Sequence, residues 1–212
     1  MKFKAIFFDS DGLLVDTEGL SFETTRRVFA SVGVEMTKEW YIRENLGKGR
    51  RSAELLQSHG IPEGQILELM HQRGEMYAQF LQKEVMPMDG VREVLETLRG
   101  KCILGVVTSS RKEYFDIIMK KTHLRSFFDF VVNREDVQNI KPDPEPYLKA
   151  LEISKQSPEE CLALEDSYRG VQAAKAAGLT CYAISDELTR TQNFSIADRV
   201  LHSIREIPAI VA

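Results

Sequence analysis

The sequence predicts an α/β protein: a doubly wound parallel sheet with a helical unit inserted after its first strand. Three observations predict it. Short apolar runs without alternation recur and stop at polar residues, as strands buried on both faces do. Beyond about residue 100 these runs alternate with helix-periodic segments, the pattern of right-handed strand–helix–strand crossovers. Between the first run and the second, a stretch of about seventy residues carries helix signals and no strand.

The strands follow in order. Ala5-Ile6-Phe7-Phe8 stops at Asp9, and residues 103–107 stop at Thr108-Ser109-Ser110. Residues 128–132 lead through Asn133 to Arg134-Glu135-Asp136, and Leu162-Ala163-Leu164 stops at Glu165-Asp166. Residues 181–184 stop at Ser185-Asp186, and Val200-Leu201 forms a short last strand. Among the helices, Phe22, Val28, Phe29 and Val32 mark one amphipathic face. Ile66, Met70, Arg73, Tyr77, Phe80 and Leu81 mark a longer one, with Pro62 near its start. Val91, Val94, Leu95 and Leu98 fall at i, i+3, i+4 and i+7, with Asp89 as the expected N-cap and Gly100 past the end. Residues 111–121 carry Phe115, Ile118 and Met119, and the Ala-rich 168–177 closes at Gly178. The expected division is a core of residues 1–16 and 86–212 around a helical cap of 17–85. Its linkers lie near Asp16-Thr17 and Met86-Pro87-Met88.

Composition removes several function classes. The 212 residues suit one to two domains. With 28 Lys+Arg against 32 Asp+Glu the net charge is −4. Nothing basic is in excess to neutralise phosphates, so neither nucleic acid nor an anionic membrane is an expected partner. A hydrophobic share of 43% and a charged share of 28% are those of an ordinary globular protein rather than a disordered one. Cys102, Cys161 and Cys181 form no CxxC and sit in apolar runs, which suits a reducing cytoplasm. The opening MKFKAIFF has too short an apolar stretch before Asp9 for a signal peptide, and no later run approaches membrane length. A cytoplasmic monomer is the expectation.

In open α/β sheets ligands collect outside the carboxyl ends of the strands. Here those ends, and the loops after them, carry Asp9-x-Asp11, Thr108-Ser109, Lys141 and Glu165-Asp166. Carboxylates that close repel unless a cation sits between them. All the expected ligands are oxygens, so Mg²⁺ fits better than Zn²⁺. The lysine, the hydroxyls and the free N–H groups after Ser109 and Asp166 suit a phosphoryl group. Thr108-Ser109-Ser110 also reads as a helix cap, and the two readings use the same N–H groups. Gly12 lets the chain turn so that Asp9 and Asp11 enter one cleft, one as nucleophile and one as proton carrier.

These motifs stand in order as Asp9-Ser10-Asp11-Gly12, Thr108, Lys141 within IKPDPEPY, and Glu165-Asp166-Ser167 within LEDSYRGVQAAKAAG. With them the sequence resembles the haloacid dehalogenase superfamily, in its β-phosphoglucomutase-like phosphatase branch, over essentially the whole chain. The resemblance implies a Rossmann-like core whose first strand is central. It implies Asp9 as nucleophile, Asp11 as acid and base, and Thr108 and Lys141 as phosphoryl anchors; Ser109, next to Thr108, is a further phosphate-binding candidate. It also implies Mg²⁺ held by Asp9, the Asp11 carbonyl and Asp166, with Glu165 assisting. The expected function is hydrolysis of a small phosphomonoester, a sugar phosphate, through an aspartyl-phosphate.

Gly47-Lys48-Gly49-Arg50-Arg51 puts cations before a helix start, where they oppose its dipole. In the family this cap loop reaches over the site, so Lys48 and Arg51 are candidate substrate ligands; a solvated loop is the alternative. Two other functions stay in view. A phosphomutase of the β-phosphoglucomutase type carries a histidine ten residues after the second aspartate, where this chain has Ser21. A non-catalytic phospho-receiver shares the acidic site, but it is shorter, carries its aspartate on a middle strand and has no cap. Dehalogenation is disfavoured because Asp11 serves leaving-group protonation, a phosphatase need.

Overall fold

The computed structural model describes residues 2–185, 188–189 and 191–211; Asp186, expected at the end of the fifth strand, lies outside them. Among the described residues six strands form one parallel sheet: β1 (Ala5–Phe8), β2 (Ile103–Val107), β3 (Phe130–Val132), β4 (Cys161–Glu165), β5 (Thr180–Ile184) and β6 (Arg199–Leu201). Their order is β3-β2-β1-β4-β5-β6, so β1 is internal and the winding reverses beside it. That reversal opens a crevice at the carboxyl ends of β1 and β4.

The apolar runs are continuous because both faces of the sheet are covered. Ile6 and Phe8 face one way, with Leu104, Val106, Leu162 and Leu164. Ala5 and Phe7 face the other, with Val107, Cys161 and Ala163. In chain order the helices are α1 (Glu18–Ala30), α2 (Lys38–Trp40), α3 (Ser52–Ser58), α4 (Glu63–Glu84), α5 (Val91–Leu98), α6 (Lys112–Thr122), α7 (Glu145–Ser154), α8 (Tyr168–Ala176) and α9 (Ile207–Val211). A π-helical stretch, Tyr41–Gly47, continues α2. The first face packs on α5, α6 and α9 through Val91, Leu95, Phe115, Ile118 and Ile207. The second packs on α7 and α8 through Tyr147, Ala150, Val171 and Ala174. Burying each large apolar side chain contributes about 1.5–3 kcal/mol.

The insert has an apolar cluster of its own, with Val28, Phe29, Met36, Tyr41, Leu56, Ile66 and Leu69. Its two connections run side by side: the Asp16 N–H donates to the Met86 carbonyl at 3.1 Å and Met88 to Leu14 at 3.0 Å. On α4, Tyr77 and Leu81 belong instead to the cluster beneath the sheet. The Tyr77 and Tyr114 rings meet edge to face with centroids 5.1 Å apart, which pins the middle of α4 beside α6. No described helix is long and apolar enough to cross a membrane.

Two local expectations are corrected. The third strand begins at Phe130 rather than Phe128, because Arg125–Phe127 is a 3₁₀ turn and Asp129 Oδ2 takes the Leu104 N–H at 2.8 Å. The N-cap of α5 is Gly90, at φ 81°, and Asp89 instead pairs with Arg205 at 2.8 Å.

Candidate active site

Parallel register brings the strand ends together: Phe8 lies opposite both Val106 and Leu164. The next residues, Asp9, Thr108 and Glu165-Asp166, therefore reach one rim. After Asp9 the chain reverses at Gly12, whose φ is +80° and where a Cβ would fall inside the Asp166 carboxylate. Only glycine meets both demands. Asp9, 7% exposed, lies on the floor of a cleft of about 350 Å³. Asp11 lines the same cleft, with Oδ1 accepting from Thr17 at 2.8 Å and Oδ2 from Thr108 at 3.4 Å.

Lys141 arrives from the loop before α7 and is buried, 5% exposed. Its ammonium donates to Asp9 Oδ1 at 2.5 Å, Glu165 Oε1 at 2.6 Å and the Val107 carbonyl at 2.7 Å. All three N–H donors are used. Burial alone would lower its pKa, and the Asp9 and Glu165 carboxylates more than offset that, so the ammonium is held charged. Two carboxylates share this one cation, and burial pushes both upward. Burial and then the Asp9 charge push Asp11 up to about 6, against the hydrogen bond from Thr17. A carboxyl poised there can both give and take a proton near neutrality. Glu165 also accepts from the Tyr147 hydroxyl at 2.6 Å, which fixes it from behind.

Thr108 lies between the readings foreseen for it. Its hydroxyl accepts from the Ser110 N–H at 3.0 Å, while the N-cap of α6 is Arg111. Ser109 lines the cleft, and its buried hydroxyl has no hydrogen-bond partner among the described residues. An orphaned buried hydroxyl in a cleft that also holds an ammonium suits an anionic oxygen.

Asp9, Glu165 and Asp166 bring carboxylate oxygens within 4.8 Å of one another. The donors are all oxygen, and the carboxylates outnumber Lys141. This arrangement fits a hard divalent cation. The side chain of Asp11 is outside this group, turned to Thr17.

Above the floor, the insert contributes Glu18, Ser21, Tyr41, Arg73 and Tyr77 to the cleft wall. The Tyr41 hydroxyl donates to Glu18 at 2.8 Å and lies 2.9 Å from Ser21 Oγ. Arg73 donates to Ser21 Oγ at 2.6 Å and Thr25 Oγ1 at 3.2 Å, with its guanidinium 4.7 Å from the Tyr77 ring centroid. Ser21 Oγ thus lies between the Arg73 guanidinium, which donates to it, and the Tyr41 hydroxyl oxygen. In the sequence Arg73 and Tyr77 show only helical periodicity; nothing there says which side of α4 meets a cleft. Lys48 and Arg51 are placed elsewhere. Lys48 turns back to the buried Glu44 at 3.0 Å, and Arg51, the residue before α3, lines a separate surface hollow with Trp40.

Comparison with known proteins accords with this geometry. The family model of haloacid dehalogenase-like hydrolases matches residues 6–184. Phosphorylated carbohydrates phosphatase of Thermotoga maritima is 35% identical over 178 residues, covering 83% of this chain and 82% of its own. Protein CbbY of Cereibacter sphaeroides is 32% identical over 216 residues, covering 96% and 94%. The crystal structure of a CbbY mutant from Rhodobacter sphaeroides in complex with xylulose-(1,5)bisphosphate matches with a TM-score of 0.83 at 27% identity, over 96% of each chain. The motifs, the sheet order and the matched span agree, and the chain belongs to the haloacid dehalogenase-like hydrolases, in their β-phosphoglucomutase-like branch.

Proposed function

We propose that this phosphatase hydrolyses a small sugar phosphate through an aspartyl-phosphate on Asp9, with Mg²⁺ as cofactor. The observation that carries the reading is the contact of Lys141 with Asp9 at 2.5 Å, on the floor of a cleft that also holds Asp11. Asp9 Oδ attacks phosphorus and the alkoxide leaves, taking a proton from Asp11. Asp11 then accepts a proton from the water that attacks the acyl phosphate, and Asp9 is regenerated. Thr108 and Ser109 hold the transferring oxygens, joined by Lys141 as its bond to Asp9 passes to the phosphoryl group. Bound Mg²⁺ would neutralise charge on them, held by Asp9, Asp166 and the Asp11 carbonyl, with Glu165 behind. The helical insert acts as a cap that excludes bulk water. The sugar-phosphate class rests on the names of the relatives and on a polar wall of the Ser21 and Tyr41 hydroxyls and the Glu18 carboxylate.

The test is a panel of small phosphomonoesters with Mg²⁺, ranked by kcat/KM. EDTA should reduce phosphate release to background, and Mg²⁺ should restore it where Ca²⁺, with its looser coordination, does not. No Mg²⁺-dependent release from any member would end this reading. Asp11→Asn should lower steady-state kcat by about 10²–10⁴-fold. With p-nitrophenyl phosphate, whose leaving group needs no proton, the same variant should release a burst of about one equivalent of nitrophenolate before stalling. Unchanged steady-state turnover would remove Asp11 from the proton-carrying role. The mutase reading is not favoured, since Ser21 holds no imidazole and its hydroxyl is engaged by Arg73 and Tyr41.

A further inference from the structure

Arg169 stands in the first turn of α8, directly after the Glu165-Asp166-Ser167 rim. Ser167 anchors that turn by accepting from the Gly170 N–H at 3.2 Å. The Arg169 guanidinium is half-buried and lines the cleft. Burial lowers its pKa, and no carboxylate among the described residues offsets this. Among the described residues, two other contacts account for its placement. At one edge, Nη2 donates to the Lys141 backbone carbonyl at 2.5 Å. On one face it meets the tip of the insert's loop. A Cβ built on Gly49, at φ +68°, would lie 2.9 Å from Cζ and Nη1 and 3.0 Å from Nε. Near-equal distances to three atoms of a flat group put Gly49 over the plane rather than beside an edge. Guanidinium faces are weakly hydrated while the edges donate strongly, so the group can seat a backbone and hold a carbonyl at once.

The loop carrying Gly49 is tied together internally. Glu44, 6% exposed, gathers Arg43 at 2.7 Å, Lys48 at 3.0 Å and Arg50 at 3.5 Å. The Gly49 N–H donates to the Asn45 carbonyl at 3.0 Å, and Asn45 Nδ2 donates to the Arg50 carbonyl at 2.7 Å. A loop so braced moves as a unit. Contact therefore runs without a break from the loop through Gly49, Arg169 and the Lys141 backbone to the ammonium on Asp9.

Resting on the roles given to Asp9 and Lys141 above, we propose that Arg169 is a positioning residue that couples the seating of the insert's loop to the placement of Lys141. When the loop sits on the guanidinium face, the guanidinium edge is held against the Lys141 carbonyl, and the anchor for the phosphoryl group is in register. When the loop lifts, that restraint weakens.

Hydrogen exchange on the free protein tests the seat and needs no substrate. Arg169→Ala should speed exchange of the amides of residues 45–50 by about tenfold, with α1 and α4 unchanged. Unaltered protection of 45–50 overturns the proposal. Kinetics test the link to Lys141. Arg169→Ala and Gly49→Ala should each lower kcat by about 10²-fold, since an ångström of misplacement suffices for that. KM should stay within about threefold, and the double variant should be no worse than the weaker single variant, because both break one chain of contacts. Losses that multiply, or that fall on KM alone, overturn it. If the unaltered protein hydrolyses no phosphomonoester, the reading of the site fails, and the exchange experiment still decides the seat.

Discussion

Asp9→Asn lowers kcat by about 10⁴-fold or more in a protein that still folds. An amide oxygen is a poor nucleophile toward phosphorus, and nothing else on the cleft floor is placed to replace it. Lys141 is held as an ammonium with no lone pair to attack phosphorus, and the Asp11 carboxylate is held by Thr17 and Thr108. The fold survives because the substitution keeps shape and hydrogen-bonding capacity, and because it removes one charge from a crowded acidic group. Lys141 retains Glu165 at 2.6 Å and the Val107 carbonyl at 2.7 Å. The melting temperature should therefore shift by only about 2–4 °C, the change expected for 1 kcal/mol in a chain of this size. Steady-state kinetics on the best panel substrate, beside a thermal melt, check both parts. Activity within tenfold of the unaltered enzyme would take the nucleophile role away from Asp9.

Lys141→Met is the second large effect, and it falls on stability as well as rate. Methionine fills the space of the alkyl stem but brings no charge. The buried carboxylates of Asp9 and Glu165 and the Val107 carbonyl then lose their shared donor. Removing one member of a buried ionic group costs about 3–5 kcal/mol, or about 10 °C in melting temperature for a chain of this length. The remaining carboxyls would take up protons, so the deficit should shrink as pH falls and shrink again when Mg²⁺ is added. On activity, loss of an anchor for the transferring phosphoryl should lower kcat by about 10²–10³-fold. Lys141→Arg should recover little, because a planar fork cannot point three donors at a nitrogen-centred triad of acceptors. A melt within 2–4 °C of the unaltered protein, about 1 kcal/mol, would show that the contacts of Lys141 are not holding the floor together.

Much of this floor was legible before the fold, because the residues that carry it sit at strand ends, where apolar runs stop abruptly. Asp9, Thr108 and Glu165-Asp166 each end or follow such a run, and parallel register makes neighbours of them. The strands themselves were legible because both faces of the sheet are buried, which leaves no alternation to blur the runs. The cap side was not. Arg73 and Ser21 meet across 52 positions of sequence, and helical spacing shows that α4 has faces without showing what each face meets. The pairing of Lys48 with Glu44 was not legible, because burial of a charge is invisible in a charge-rich stretch such as residues 43–51. Arg169 lay inside a recognised motif, yet its contacts with Lys141 and Gly49 depend on the packing of three separate segments. The early start of the third strand and the Asp89 cap failed for one reason: an aspartate side chain was recruited by a distant partner, Leu104 in one case and Arg205 in the other.

The central claim is that phosphate leaves in two displacements, through Asp9. The most direct measurement is the stereochemical course at phosphorus, using a phosphomonoester made chiral with oxygen isotopes. Each in-line displacement inverts the centre, so transfer to Asp9 followed by transfer to water gives net retention. Retention is the result expected here. Net inversion would mean that water attacks the substrate directly and that Asp9 never carries the phosphoryl group.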